Sequence, residues 1–237
     1  MNYLLDGGLV MPERIQTTRK IAKGRRKHFT GQFTFGPDED RTMDIESHTE
    51  LCTALVTIAR PDVVGLENQV PFKWVKPNGE TATHYFDFRV LMADGSRRAI
   101  MVKSEYRRRQ PKVQQELAQI AAQVTPDFAN EVIIMTERDL DPVELFNAEM
   151  LHEMRRPDPE ADAAARRIVN EMVASVQIQD LVDAINLGAR GFRAIVRHQT
   201  QPRTAQIFFF RIRRHRHRGA ASPILSDPRG AAHFRCS

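Results

Sequence analysis

Apolar and polar residues alternate in two neighbouring segments near the middle of the chain, HYFDFRVLM (84–92) and RRAIMVK (97–103). Both segments predict β-strands, because alternation with period two is typical of a strand with one face turned to a core. The intervening ADGS contains an Asp-Gly dipeptide, which is typical of a tight hairpin turn. The sequence therefore predicts a β-hairpin, and strict alternation would put Tyr85, Asp87 and Arg89 on one face of its first strand.

Helical periodicity dominates two other segments. In MDIESHTELCTALVTIA (43–59) apolar residues recur at helical spacing, which predicts a helix that ends before an Arg-Pro pair. A second apolar set at helical spacing follows the hairpin, and NEVIIMT (130–136) after it is a short apolar run typical of a buried strand. The order of helix, hairpin, helix and strand predicts an α/β domain. The apolar residues of the second helix are Val113, Leu117, Ile120 and Val124.

The character of the chain changes after this strand. Two segments begin with Asp-Pro, at 141–142 and 158–159, where the aspartate is a good helix N-cap and the proline suits the first helical position. The segment 178–199 predicts a helix, a turn at Gly188 and a second helix, and AQIFFFRIRR (205–214) predicts a strand. Together these elements indicate a winged-helix-like domain, and a plain helical hairpin is the alternative.

Charge is strongly segregated along the chain, although the net charge of the 237 residues is only +5. Residues 1–30 carry +5 and residues 190–237 carry +10, whereas the segment between them carries −10. Clustered positive charge favours contact with a polyanion, because neutralising phosphates releases counterions. We interpret the basic ends as DNA-contacting segments, with solvated tails as the alternative.

These patterns divide the chain into four parts. They are a basic N-terminal arm (1–30), an α/β core (31–140), a helical C-terminal domain (141–211) and a basic tail (212–237) that lacks a usable pattern and is predicted to be disordered. No segment has the length and apolar character of a membrane span, and the N-terminus lacks a signal-peptide core. The two cysteines suggest neither a disulfide framework nor a zinc site, so a cytoplasmic location is expected.

The hairpin carries an acid and a lysine at positions that suit chemistry on phosphate. Asp87 lies on the first strand and Lys103 ends the second. A metal-dependent nuclease holds Mg²⁺ with carboxylate and carbonyl oxygens, and it uses a cation to stabilise negative charge on the phosphate. Glu50 or Glu46 of the preceding helix could complete such a set. From spacing alone, a cross-strand ion pair on a solvated face is the favoured interpretation.

Four segments in a defined order favour the metal site over the ion pair: GRRKHFTGQF, ESHTELCTALVTIARPDVVGLENQVPF, HYFDFRVLMADGSRRAIMVK and VIIMTERDL. In order and spacing they resemble the TnsA endonuclease family, over about residues 24–140. That family supplies one strand-cleaving activity of heteromeric cut-and-paste transposases. The resemblance implies a restriction-endonuclease-like core with a mixed sheet, followed by a helical domain. It also implies Mg²⁺ as cofactor, with Mn²⁺ as a substitute, and DNA and a transposase as partners.

The resemblance also assigns roles to individual residues. It implies that Glu50 of SHTE and Asp87 of FDF are catalytic residues that hold the metal, with help from the carbonyl of Val102. It implies that Lys103 is the catalytic lysine. Gln69 of ENQVP is the nearest match to a further family motif.

One position departs from the family pattern. Glu or Gln is expected two residues before the lysine, and this chain has Met101 there. A thioether is a poor ligand for Mg²⁺, which prefers oxygen, and Glu105 is a further candidate ligand. The sequence thus predicts a Mg²⁺-dependent DNA endonuclease. The alternatives are a DNA-binding accessory protein with weak or no cleavage and, more distantly, a transcriptional regulator that acts through its C-terminal helices.

Arginines next to these elements are candidate DNA contacts. Arg107, Arg108 and Arg109 lie four to six residues after Lys103 and would clamp phosphates near the cleavage site, unless they are only a solvated charge run. Arg190 and Arg193 would face DNA if the helix 189–197 is a recognition helix, and they could equally face a partner protein.

Overall fold

The computed structural model of the 237-residue chain describes residues 13–15, 29–36, 41–172 and 176–198, together with the backbone of 232–235. Within these ranges the fold is mixed α/β, with two mixed sheets and seven helices. The predicted α/β class is therefore confirmed. None of the described helices combines the length and the apolar character needed to cross a bilayer.

A three-stranded sheet precedes the first helix. Strand β2 (Gly31–Phe35) pairs antiparallel with β3 (Arg41–Ile45), and the two-residue β1 (Glu13–Arg14) pairs parallel with β3. An ion pair between Arg14 and Asp44 joins β1 to the buried side of this sheet. The predicted basic arm therefore contributes a short strand, and most of the arm lies outside the described residues.

Helix α1 (His48–Ile58) begins later than the periodicity predicts. The side chain of Ser47 caps it by accepting a hydrogen bond from the Glu50 N–H. Met43 and Ile45 instead belong to β3, where both are buried. The predicted start at Met43 is therefore wrong, because the end of a buried strand followed by a capped helix produces the apolar spacing of one continuous helix.

The second sheet has five strands in sequence order. Neighbours β4, β5 and β6 are antiparallel, β6 and β7 are parallel, and β8 is antiparallel to β7. The turn between β5 and β6 contains a glycine at φ 84°, so the predicted hairpin is confirmed. The strands are β4 (Val63–Val75), β5 (Thr81–Met92), β6 (Arg97–Val102), β7 (Glu131–Met135) and β8 (Ala232–Arg235).

Strand β8 lies in the tail that the sequence predicts to be disordered. Its backbone pairs along β7, with Glu131 opposite Arg235. An edge strand offers unpaired N–H and C=O groups that any extended segment can satisfy, so composition does not indicate this pairing. The rest of 212–237 lies outside the described residues.

Helices cover both faces of the five-stranded sheet. Helix α2 (Glu105–Arg108) and helix α3 (Pro111–Ala121) connect the parallel strands β6 and β7. One hydrophobic cluster joins α3 to one set of strand residues, and another joins α1 and the small sheet to the alternate set. The α3 cluster includes Phe86, Ala99, Met101, Leu117 and Ile120, and the α1 cluster includes Leu55, Leu66, Phe88, Ile100 and Val102.

Four further helices follow β7. Asp141 and Asp158 cap the first two with their side chains, and a proline occupies the first helical position of each, as predicted. The predicted helix, turn and helix over 178–199 is confirmed for 178–198. The predicted strand at 205–214 lies outside the described residues, so these helices establish a helical C-terminal segment and no more. The helices are α4 (Pro142–Glu153), α5 (Pro159–Glu171), α6 (Ile178–Ile185) and α7 (Ala189–His198).

Candidate active site

The carboxylate of Asp87 lies where strands β5 and β6 separate. Phe88 and Ile100 form the last paired positions between these strands. Beyond them, Asp87 Oδ2 accepts a hydrogen bond of 2.6 Å from the N–H of Val102. The side chain thus replaces a backbone carbonyl of the ladder, which holds the carboxylate between the strands and beside the end of β6.

The backbone is distorted at the same point. Phe86 and Phe88 should share a face by alternation, yet Phe86 belongs to the α3 cluster and Phe88 to the α1 cluster. On β4, Gln69 lies between the partners of these two residues and has φ 52°, a left-handed conformation that is costly for a residue with a Cβ. Strict alternation through Asp87, and with it the predicted common face, is therefore wrong.

Lys103 is the third member of this arrangement. Its Nζ lies 3.5 Å from Asp87 Oδ2 and donates a hydrogen bond of 2.9 Å to the carbonyl of Val102. Its own N–H bonds the carbonyl of Met135, so β7 fixes the backbone from which the lysine projects. The structure therefore brings Asp87, Lys103 and the Val102 carbonyl together.

Glu50 approaches from the first turn of α1. It completes a capping box: Ser47 Oγ donates to Glu50 Oε1 at 3.0 Å, and the N–H of Glu46 donates to Oε2 at 3.0 Å. The carboxylate is buried. Burial, followed by the negative charge of Asp87, raises the pKa of Glu50 to about 7. Glu50 and Asp87 are thus close enough for their charges to oppose each other.

Met101 lies in the core, on the side of β6 that packs against α3. Its side chain is fully buried among Leu117, Ile120 and Ile134 of the same cluster. The position that the family fills with an oxygen ligand is therefore an apolar packing position in this chain.

The donor set suits one hard cation. Two carboxylates, a backbone carbonyl and waters are the ligands that Mg²⁺ prefers, and a cation would offset the repulsion between Glu50 and Asp87. Among the described residues no group of three or more His, Cys, Asp and Glu side chains is arranged to hold a metal. The carbonyl of Val102 accepts a hydrogen bond from Lys103. The lysine side chain would have to move before that oxygen could become a metal ligand.

Two of the three arginines after Lys103 already have an internal partner. Arg108 and Arg109 both donate to Glu105, at 2.9 and 2.7 Å, and their hydrogen bonds lower the pKa of Glu105 to about 2. The DNA contact of all three arginines stays a prediction, and for Arg108 and Arg109 phosphate would compete with Glu105. Arg107 is exposed and has no carboxylate partner among the described residues. Glu105 is directed to the arginines, so it is not placed as a metal ligand.

Two residues near the site, His84 and Tyr106, were not identified as candidates from the sequence. The Nε2 atom of His84 is buried and has no hydrogen-bond partner within the described ranges. Burial, then the charge of Lys103, lowers the pKa of His84 to about 4, so a neutral imidazole lies near the lysine. Tyr106 is 77% exposed between the lysine and the arginines. The position of His84, three residues before Asp87, was the available signal.

The two arginines of α7 differ in their contacts. Arg190 donates to Asp158 at 2.7 and 2.8 Å and to Glu160 at 2.7 Å, so it joins α7 to the start of α5. Its contact with DNA or with a partner protein stays a prediction. Arg193 is exposed and has no hydrogen bond or ion pair to any described residue.

Comparison with models of known protein families and with curated proteins gave no match.

Proposed function

We propose that this protein is a metal-dependent DNA endonuclease similar to the TnsA strand-cleaving subunit of heteromeric transposases. The observation that carries the proposal is the convergence of Asp87, Lys103 and the Val102 carbonyl where β5 and β6 separate. A solvated cross-strand ion pair would not require the Val102 N–H to hold the carboxylate between strands. The order of α1, hairpin, α3 and β7 supports the restriction-endonuclease-like core that the resemblance implies.

Each residue has a chemical role in this proposal. Glu50 and Asp87 would hold Mg²⁺ together with waters and the Val102 carbonyl. When bound, the metal would supply a Lewis acid and a more acidic water. Lys103 Nζ stabilises the negative charge that develops on the phosphate during hydrolysis. The N–H of Val102 keeps Asp87 in place.

DNA contact and partners belong to the same proposal. Arg107 and Arg193 are the predicted DNA contacts that have no internal acid partner among the described residues, so they are the stronger candidates for phosphate. The basic ends of the chain would add sequence-independent attraction. A winged-helix-like C-terminal domain, a transposase partner and a cytoplasmic location complete the proposal.

A catalytically weak or inactive accessory protein is the second candidate. It is favoured by the fully buried Met101, which leaves the site with two carboxylates instead of a larger oxygen set. Such a protein would bind DNA through the same surface and leave cleavage to a partner.

Plasmid nicking distinguishes the two candidates. We expect the purified protein to nick supercoiled DNA in Mg²⁺ or Mn²⁺, and Lys103→Ala to lower the rate by about a hundredfold, because a positioned charge is lost. Lys112→Ala on α3 is the matched control and should keep the wild-type rate. Metal-dependent DNA binding without nicking, in wild type and both variants, would support the accessory protein instead.

A further inference from the structure

A cavity of about 620 Å³ lies at the other end of α1 from Glu50. Its wall is built from the end of α1, the start of β4, one end of β3 and parts of helices α4, α5 and α7. From Glu50 to Ala59, at the cavity, α1 rises about 13 Å along its axis. The cavity is therefore separate from the candidate active site.

Some of the cations in the wall have a structural role. Arg155 donates to the carbonyl of His152 at 2.6 Å, and Arg197 donates to the carbonyl of Met154 at 3.0 Å and to Asp162 at 2.6 Å. The C-terminal end of a helix carries partial negative charge, so cations at the end of α4 are stabilising without any ligand. Arg155 and Arg197 therefore do not by themselves indicate a binding site.

Three other basic groups of the wall lack such partners. Arg41 on β3 and Arg166 on α5 are exposed, and neither has a hydrogen bond or ion pair to any described residue. The Nε2 atom of His198, at the end of α7, is buried and has no hydrogen-bond partner in the described part of the chain. Burial and then the charge of Arg166 lower the pKa of His198. Three elements thus each contribute to the wall of one cavity a basic side chain with no hydrogen bond or ion pair to a described residue.

Another part of the wall is apolar. Ile58, Val63, Leu66 and Leu151 line it, and Val64, which is 60% exposed, lies among the same lining residues. A cavity of this volume accepts a ligand of nucleotide size, and such ligands bury an apolar body while a few polar groups fix their orientation. Guanidinium groups suit phosphate, because they offer a planar pair of donors with a permanent charge.

We propose that this cavity binds a small organic phosphate, with the phosphate on Arg41, Arg166 and His198 and a flat apolar group, such as a nucleotide base, on the wall formed by α1 and β4. This site is independent of the nuclease proposal, because it uses none of the residues of the candidate active site.

Equilibrium binding in the absence of Mg²⁺ tests the proposal. ATP, pyrophosphate and adenosine are titrated separately into the full-length protein by calorimetry. We expect saturable binding of ATP at one site, and weaker binding of pyrophosphate and adenosine, because each lacks one half of the recognised chemistry. Arg166→Glu should weaken ATP binding by about tenfold or more, because an attractive charge becomes repulsive.

Matched variants separate the site from general charge and from misfolding. Arg167→Glu changes the same charge at the next, exposed residue of α5, which is not part of the cavity wall. Val64→Trp should block the cavity, whereas Val75→Trp changes a residue of the same strand that is 50% exposed and outside the wall. Thermal melts confirm that each variant is folded.

The outcomes are distinct. Loss of ATP binding in Arg166→Glu and Val64→Trp, with binding retained in both controls, supports the site. Absence of saturable binding to any of the three probes at millimolar concentration overturns it. Equal losses in Arg166→Glu and Arg167→Glu would also overturn it, since they would indicate general electrostatic attraction. If ATP does not bind, and a short DNA duplex binds in a way that depends on Arg166, the proposal is overturned and the ligand of this surface is DNA.

Discussion

The two ends of α1 have opposite electrostatic surroundings, although a single helix of eleven residues joins them. At the first turn, burial and the charge of Asp87 raise the pKa of Glu50 to about 7. At the last turn, Ile58 borders a cavity whose wall includes Arg41 and Arg166. The helix dipole favours this arrangement, because negative charge is stabilised at the N-terminus of a helix and positive charge at its C-terminus.

The dipole does not account for the whole difference. It contributes about 0.3–1 kcal/mol at an exposed helix end and would lower the pKa of Glu50, yet that pKa is raised. Carboxylates that oppose each other require a proton or a cation, and arginines without acid partners remain available to an anion. Glu50 at one end, and Arg41 and Arg166 at the other, have no ion pair to any described residue, so the two ends are complementary to external ions of opposite sign.

The largest expected effect comes from adding a third carboxylate near the acidic end. Met101→Glu should lower the free energy of unfolding by about 3 kcal/mol or more, because the side chain is fully buried in the α3 cluster and the new charge would have no partner. Urea denaturation measures this change. Met101→Leu is the control, with a loss below about 1.5 kcal/mol. A stable Met101→Glu protein with increased Mg²⁺ affinity would show that the acidic site extends through the sheet.

The next effect concerns the pH dependence of stability without metal. Glu50 has a folded pKa of about 7 and an ordinary value of 4.5, so the folded state binds the proton more tightly than the unfolded state does. The stability contributed by the protonated form is complete below about pH 4.5 and is lost as the pH rises to about 7. Glu50→Gln should therefore be more stable than wild type at pH 8, by on the order of 2–3 kcal/mol.

Urea denaturation from pH 4 to pH 8 checks this prediction. Gln retains the hydrogen bonds of a capping box, so the variant isolates the charge of Glu50 from its role at the helix terminus. Parallel pH profiles for wild type and variant would mean that folding does not raise the pKa of Glu50, which would contradict the electrostatic difference between the two ends of α1.

The sequence predicted local features better than the geometry of either site. The Asp-Gly turn and the Asp-Pro helix starts were confirmed because each depends on the backbone preferences of one or two residues. The start of α1 was mispredicted because Ile45 was counted with the helical apolar set although it and Met43 lie in β3. Periodicity also could not predict that the Asp87 carboxylate lies between two strands. It indicates which face of a strand a side chain occupies, and not where the backbone hydrogen bonds between two strands are interrupted.

Long-range pairing is the other kind of feature that the sequence did not indicate. Arg190 pairs with acids some thirty residues earlier in the chain. The pairs of Glu105 with Arg108 and Arg109 are local, at i,i+3 and i,i+4, and helical spacing could have predicted them. The proposed phosphate site uses Arg41, Arg166 and His198. These residues lie on β3, α5 and α7, and only folding brings them to the wall of one cavity. Neither spacing nor composition relates these positions.

The smallest expected effect tests whether an acid partner distinguishes structural arginines from ligand-binding ones. Arg190→Ala removes the ion pairs to Asp158 and Glu160, and because the pairs are partly exposed it should lower Tm by only about 2–4 °C at pH 7. The hydrogen bonds of Arg190 lower the pKa of Asp158 to about 2, so this stabilisation is present above about pH 3.8 and lost as the pH falls to about 2.

Arg193→Ala is the matched control for Arg190→Ala on the same helix. Arg193 has no ion pair to any described residue, so its removal should leave Tm unchanged and weaken DNA binding instead. Equal DNA-binding losses in the two variants, with unchanged Tm in both, would show that acid partners do not mark the structural arginines.

The most direct test of the central claim is calorimetric titration of Mn²⁺, and then Mg²⁺, into wild type, Asp87→Asn and Asp94→Asn. Asp94 lies in the turn of the same hairpin and bonds only Ser96 there, so it is a control for the loss of one carboxylate. We predict one binding site in wild type and Asp94→Asn that is lost in Asp87→Asn. Equal binding in all three proteins, or no binding in wild type at millimolar metal, would contradict a metal site at Asp87.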